Sequence, residues 1–205
     1  MRADEMDHAI AQYAELDREV GRLIDERLHH VCAACPKPCC RPDVCRQVVE
    51  CWWLRRVSEH VHGTWWPDDW ETRHECIAMT ESGCLLQAGR PVICRSFVCD
   101  KYTEAYGSLW EAVAFSFLAD LMWEVGQLSG RVHLEQIDED DFPKYAGKLA
   151  ERLAAGRRRL DLAKRLLDDD ASDLARYAIA LRLLCETPRF LRATTRRAIL
   201  ARLDT

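Results

Sequence analysis

Eleven cysteines in a chain of 205 residues constrain this protein more than any other feature of its sequence. The number is odd, so they cannot all pair in disulfides within one chain. The start, Met1 to His8, is polar and acidic, whereas a signal peptide has a basic start followed by an apolar run. We therefore predict a cytoplasmic protein, and in a reducing cytosol cysteines more often bind metals or do redox chemistry than form disulfides.

Eight of the cysteines fall into two groups along the chain. Thiolates a few residues apart can turn inward on one centre, and a chain rich in Pro and Gly gives them the turns they need. Pro36, Pro38 and Pro42 exclude a continuous helix through the first group. The groups are Cys32, Cys35, Cys39 and Cys40, then Cys76, Cys84, Cys94 and Cys99.

These two groups resemble the signatures of the YkgJ-type cysteine-cluster family, described as zinc- or iron-chelating and often as iron–sulfur proteins. The first group is similar to the family's CxxCxxCC motif, although three residues, not two, precede the adjacent pair. The later signature, Arg-Pro-x-x-Cys-Arg-x-Phe-x-Cys, is matched position for position by Arg90-Pro91-Val92-Ile93-Cys94-Arg95-Ser96-Phe97-Val98-Cys99. The resemblance covers about residues 32–99.

The resemblance implies that the eight cysteines are metal ligands, and it leaves the metal open. All-thiolate ligation suits both Zn²⁺ and iron–sulfur clusters. We favour an iron–sulfur cluster such as [4Fe–4S], because the side chains of the adjacent Cys39 and Cys40 diverge and one tetrahedral zinc would strain them. Similar segments in flagellin lysine methylases look like an iron–sulfur element. Arg90 and Arg95 flank Cys94, and we expect them to offset the negative charge of the thiolates.

Other residues near the clusters have simpler interpretations. We expect Cys45 and Cys51 to be buried thiols, with a role as spare ligands as the alternative, and we expect Cys185 to lie in the core. With eight thiolates available, we interpret the neighbouring histidines as non-ligands: His29, His30 and His74. Five tryptophans between the groups either shield the cluster or pack the connection onto the helices: Trp52, Trp53, Trp65, Trp66 and Trp70.

Hydrophobic periodicity predicts a mainly α fold, a helical bundle with an irregular Cys-rich metal-binding segment between helices. We expect one domain over 1–205, with an N-terminal helix in 1–31, the cysteine-cluster segment in 32–100 and a helical bundle in 101–205. Loops and a small hairpin are expected in 64–101, and no other strand. The predicted helices are 4–31, 44–62, 103–129, 142–167, one starting after Asp170 or Ser172, and a last one from Thr187-Pro188.

Charge and motifs narrow the function classes. Residues 1–141 carry a net charge of −12 and residues 142–205 carry +7, which we interpret as complementary halves rather than a nucleic-acid surface. No apolar run spans a membrane. The leading hypothesis is a metalloprotein used in electron transfer, metal handling or support of a partner enzyme. The alternatives are a zinc-stabilised interaction module, with an unidentified protein partner, and a cluster-dependent modifying enzyme, for which no catalytic group can be named.

Overall fold

The computed structural model describes residues 3–33, 41–72, 75–80, 83–96 and 100–186. These residues form a mainly α structure, as the periodicity predicted. None of the helices in these ranges is long and apolar enough to cross a membrane.

The first helix, α1, runs from Ala3 to Ala33 and confirms the predicted N-terminal helix. Its apolar residues recur every three or four positions, so they share one face. That face is buried through Ile10, Tyr13, Leu16 and Val20. The helix contacts the later helices on this side, and the opposite side carries most of its charged residues, with the buried Asp17 as an exception.

The predicted helix over 44–62 is two helices, α2 (Pro42–Glu50) and α3 (Trp52–His62). The chain is extended at Cys51, with φ −78° and ψ 116°, and this breaks the helix. Tertiary contacts explain the break: the Trp52 indole donates to the Ile137 carbonyl at 2.6 Å, and Trp53 stacks on Phe142. Gly63, at φ 67°, ends α3.

A small hairpin follows, as predicted for this part of the chain. Strand β1 (Met79–Thr80) pairs antiparallel with β2 (Gly83–Cys84). Two short helices come next, α4 (Val92–Ser96) and α5 (Asp100–Glu104). Helix α4 carries Cys94 and packs against a longer helix, α6 (Leu109–Gly126).

The second half is helical with one feature that the sequence did not predict. Helix α6 (Leu109–Gly126) is shorter than the predicted 103–129, because Ser108 caps its start and a second hairpin, β3 (Gln127–Ser129) with β4 (Val132–His133), follows it. The predicted 142–167 helix is a 3₁₀ segment, Glu139–Lys144, followed by α7 (Ala146–Leu166). The last described helix is α8, Asp173–Glu186.

The prediction that Cys185 lies in the core is wrong. Cys185 is exposed, as are Leu174 and Leu181, which share its side of α8. Helix α8 buries a different face instead, through Ile179, Ala180 and Leu183 against α6 and α7. The helix predicted from Thr187-Pro188 lies outside the described residues.

Candidate metal centre

The structure describes the side chains of three of the eight predicted ligands: Cys76, Cys84 and Cys94. Cys76 and Cys84 are half-buried and Cys94 is exposed. For Cys32 only the backbone is described, in the last turn of α1. The other predicted ligands, Cys35, Cys39, Cys40 and Cys99, lie outside the described residues, as does His74; nothing is described of the His29 side chain, and His30 is exposed.

Two of these cysteines share one site with a residue from another element. Cys45 on α2 lies in a small apolar cluster to which Cys76 and Cys84 also belong. We call Cys45, Cys76 and Cys84 the thiol cluster. Trp65 packs against the same cluster, so one of the five tryptophans lies beside the thiols, whereas Trp52 and Trp53 pack on Phe142.

The hairpin positions the two thiols of its own segment. The Met79 amide donates to the Cys76 carbonyl at 3.0 Å, which closes a turn directly after Cys76. Cys84 then lies opposite Met79 in the antiparallel pair. The turn back requires Gly83, whose φ of +108° favours glycine. A tight turn therefore brings Cys76 and Cys84 to the same end of the hairpin.

Cys45 accepts hydrogen bonds from this turn. Its sulfur is hydrogen-bonded to Cys76 and receives the backbone amides of Ala78 and Ile77. These bonds, with the one to Cys76 the largest, hold the pKa of the Cys45 thiol below its ordinary value despite burial and the nearby Cys84.

Arg90 links the thiol cluster to α1. Its Nε donates to the Leu86 carbonyl at 2.7 Å, and its Nη2 lies 3.2 Å from a carboxylate oxygen of Asp25. Burial lowers the pKa of Arg90, but the charges of Cys84 and Asp25 outweigh it and hold the pKa above its usual value. The predicted role of Arg90, offsetting thiolate charge, is consistent with its position beside Cys84.

Arg95 lies in a different environment. Its Nε donates to the Asp17 carboxylate at 2.7 Å and its Nη2 donates to the Gln87 carbonyl at 2.6 Å, with both side chains of the ion pair almost fully buried. The guanidinium lies over Gly21 of α1, where a Cβ would come within 2.5 Å of it. Asp17 already neutralises this arginine, and the predicted role of Arg95 toward the cluster stays a prediction.

Two further contacts hold the chain around Cys94. The second oxygen of Asp17 accepts the Gly89 amide at 2.7 Å, where φ is +77° and a Cβ would meet the backbone of α3. Glu135 accepts the Val92 amide at 2.9 Å, at the start of α4. Desolvation raises the pKa of Glu135 to about 7.

Sequence reasoning missed Asp17 and Glu135 and did not place Cys45 beside the hairpin. Asp17 carries a readable signal, because it is a carboxylate on the apolar face of α1, four residues after the buried Tyr13. Glu135 has no local signal, since its partner is 43 residues away. Cys45 was correctly expected to be buried, but its contact with the hairpin depends on tertiary structure.

The donor chemistry of the thiol cluster fits a soft metal, because thiolates are the ligands that zinc and iron–sulfur clusters share. Within the described ranges, however, no group of three or more His, Cys, Asp or Glu side chains is placed to hold a metal ion by itself. A closed ligand shell would therefore need cysteines outside these ranges as well.

In comparisons with protein-family models, with curated proteins and with solved structures, nothing matches this chain.

Proposed function

We propose that this chain is a metalloprotein of the YkgJ cysteine-cluster type that holds an iron–sulfur cluster between its two cysteine groups. The observation that carries the proposal is the thiol cluster, in which Cys76 and Cys84 from one predicted group lie together with Cys45. Arg90 supplies a positive charge beside Cys84. When bound, the cluster would supply one-electron chemistry, for electron transfer, metal handling or support of a partner enzyme.

The path of α1 supports the convergence of the two groups. Arg90 reaches from the vicinity of Cys84 to Asp25 on α1. Cys32 follows Asp25 by seven residues on the same helix, so it has nearly the same angular position and lies about 10 Å farther along the axis. The first cysteine group therefore begins close to the second.

The short connection before Cys45 on α2 independently limits the distance between the two cysteine groups. Cys45 follows Cys40 by five residues, and a fully extended connection of that length spans at most about 17 Å. Because Cys45 is hydrogen-bonded to Cys76, the first group ends within reach of the second. This limit on chain length supports a centre that takes ligands from both groups.

Metal analysis tests the proposal directly. Protein purified without oxygen should absorb broadly in the visible, bleach with dithionite, and contain iron together with acid-labile sulfide. Protein that contains neither iron nor zinc after anaerobic purification and reconstitution would exclude a metal centre.

Ligand variants test the assignment of residues. Cys94→Ser and Cys39→Ser should each lose most of the bound metal, because each removes a predicted ligand from a different group. Cys185→Ser is the matched control, since Cys185 is an exposed cysteine far along the chain from both groups. Full metal loading in both cluster variants would refute the ligand set.

The hairpin also supports a second candidate function, a zinc-stabilised interaction module. Two paired strands of two residues each have little stability alone, so a metal there would contribute to folding. A structural zinc site contributes on the order of 10 kcal/mol. Colourless protein with stoichiometric zinc would favour this module over the iron–sulfur protein.

A further inference from the structure

Cys45 and Cys76 are two thiols in direct contact, although they come from elements far apart in the chain. Cys45 lies on α2 and is 3% exposed, whereas Cys76 is half-buried and begins the turn before β1. A hydrogen bond joins the two sulfurs, and Cys76 packs against the apolar cluster to which Cys45 belongs. The contact is therefore part of the packing of α2 against the hairpin.

This contact suits chemistry that needs two sulfurs and no third ligand. Within the part of the chain that the structure describes, no three His, Cys, Asp or Glu side chains are placed to hold a metal ion together. Two thiols in contact are sufficient for a disulfide, which requires Cβ atoms about 4 Å apart. The Met79 amide, which donates to the Cys76 carbonyl at 3.0 Å, fixes the backbone on one side of the pair.

Cys51 provides an internal contrast. It is half-buried at the junction of α2 and α3, and its thiol donates to the Glu135 carbonyl at 3.6 Å. The partner of this thiol is a backbone oxygen, which offers no sulfur for a covalent bond. A buried position in this segment therefore does not by itself produce a contact between two thiols.

We propose that Cys45 and Cys76 are a redox-sensitive pair, which a low-molecular-weight disulfide such as oxidised glutathione converts into a disulfide between α2 and the hairpin. Cys76, the more exposed thiol, attacks one glutathione sulfur, so that one glutathione leaves and a mixed disulfide remains. Cys45 then attacks the Cys76 sulfur, and the second glutathione leaves. In each step the proton of the attacking thiol ends on the departing glutathione. The two protein thiols are oxidised, and the glutathione disulfide is reduced to two thiols.

The disulfide would have two consequences. It would close a loop from residue 45 to residue 76 that contains α3, and a cross-link of this kind restricts the unfolded chain. The second consequence rests on the proposed metal centre: the disulfide would take Cys76 out of the predicted ligand set, so that oxidation and metal binding compete. In reducing compartments, disulfides that form and reopen serve redox sensing.

Disulfide mapping of the full chain tests the pair. Protein purified without oxygen, both as isolated and after treatment with a chelator, is incubated with oxidised glutathione. Free thiols are then blocked, and unreduced peptides are analysed by mass spectrometry. We expect a linked pair of peptides containing Cys45 and Cys76, lighter than the separate peptides by the two thiol hydrogens and separated by dithiothreitol. Absence of this link in both preparations, or a link between Cys76 and Cys84 in its place, would overturn the proposal.

Matched variants separate the two chemical steps. In Cys45→Ser the mixed disulfide at Cys76 should persist at least about tenfold longer than in the wild type, because attack from solution replaces an intramolecular attack. Cys51→Ser is the control and should give the wild-type link, since Cys51 bonds to a carbonyl. Equally fast decay without Cys45 would overturn its role as the partner. If Cys45→Ser fails to fold, the mapping of the wild-type chain decides the same question.

The outcomes for the thiol pair and for the metal centre are independent. A wild-type protein that forms the link but never contains metal would leave the pair standing and overturn the metal centre. A protein that binds metal but forms no link would do the reverse. Where both hold, oxidation should lower the metal content per chain, and reduction followed by reconstitution should restore it. Full metal content in the linked protein would overturn the competition between oxidation and metal binding.

Discussion

The two ends of the second cysteine segment are held in different ways. Residues 87–95, which we call the anchored segment, are tied to the helices by buried polar contacts through Asp17 and Glu135. The thiol cluster is tied by a two-residue hairpin and a small apolar cluster. The anchored segment is thus bonded to several helices, whereas the thiol cluster depends on few contacts of its own.

The contrast also separates the two arginines of the Arg-Pro-x-x-Cys-Arg motif. Arg95 is neutralised by Asp17 within the protein, and its side chain is 2% exposed. Arg90 forms an ion pair with Asp25 and also interacts electrostatically with Cys84. Arg95 is bonded to α1 and to the Gln87 carbonyl, whereas Arg90 is bonded to the Leu86 carbonyl and to Asp25. The same residue type is therefore almost fully buried in an ion pair at one position and paired with a partly exposed carboxylate at the other.

The largest effect is expected from breaking the buried ion pair. Asp17→Ala leaves the Arg95 guanidinium without its counter-charge and the Gly89 amide without its acceptor. Removing one partner of a buried pair costs about 3–5 kcal/mol of unfolding free energy, measurable by urea denaturation. Glu26→Ala is the matched control, because the Arg22–Glu26 pair on the same helix is exposed and should contribute less than about 0.5 kcal/mol. Equal losses of unfolding free energy in the two variants would show that the buried pair stabilises the fold no more than the exposed pair.

Removal of the proposed metal should destabilise the hairpin that carries Cys76 and Cys84. A ligand present at 100 to 1,000 times its dissociation constant stabilises by about 3–4 kcal/mol, and chelation would remove that stabilisation. Amide exchange should accelerate in residues 76–86, while α6 and α7 keep their protection and the helical circular dichroism stays unchanged. Loss of the helical signal on chelation would mean that the helices also depend on the metal.

Glu135 should make the stability of the fold depend on pH. Desolvation raises the pKa of Glu135 to about 7, so the folded state holds a proton that the unfolded state releases near the ordinary glutamate pKa of 4.5. Stability is then highest below the unfolded pKa and falls as the pH rises to about 7. Glu135→Gln keeps an acceptor for Val92 and should gain about 1–3 kcal/mol over the wild type at pH 8, with little difference at pH 5. The exposed Glu139→Gln serves as the control, and a gain at Glu135 that does not vary with pH would contradict this account.

Much of the helical fold could be predicted because periodicity is a local property. Helix α1 shows this, since its apolar residues recur at helical spacing from Ile10 to Val20 without a breaker. The break at Cys51 could not be read, because the apolar pattern continues through it and the contacts of Trp52 and Trp53 with the 3₁₀ region cause it. The two strands of the β3–β4 hairpin contain only five residues together, too few for an alternating pattern.

The sequence predicted that the candidate site contains cysteines, but it identified only some of the residues that the structure brings together there. Spacing and turn residues indicated Cys76 and Cys84, which the structure does bring together. Cys45 joins them from α2, and no rule of spacing links residues that far apart in the chain. Asp17 was readable as a carboxylate on an apolar face, but its partner Arg95 was assigned to the metal because the motif places it beside Cys94.

The smallest effect is expected at Cys185, where the sequence suggested the opposite. Leu174, Ala178, Leu181 and Cys185 share one side of α8, and an apolar stripe of this kind usually faces a core. The structure exposes this side, so Cys185→Ser should change the unfolding free energy by less than about 0.5 kcal/mol. Thermal and urea unfolding of the full chain measure this, with Leu183→Ala as the buried counterpart on the same helix, for which a loss of about 2–5 kcal/mol is expected. A loss at Cys185 as large as that at Leu183 would mean that another part of the chain or a second molecule covers this face, and the apolar stripe would then have the meaning that its periodicity suggested.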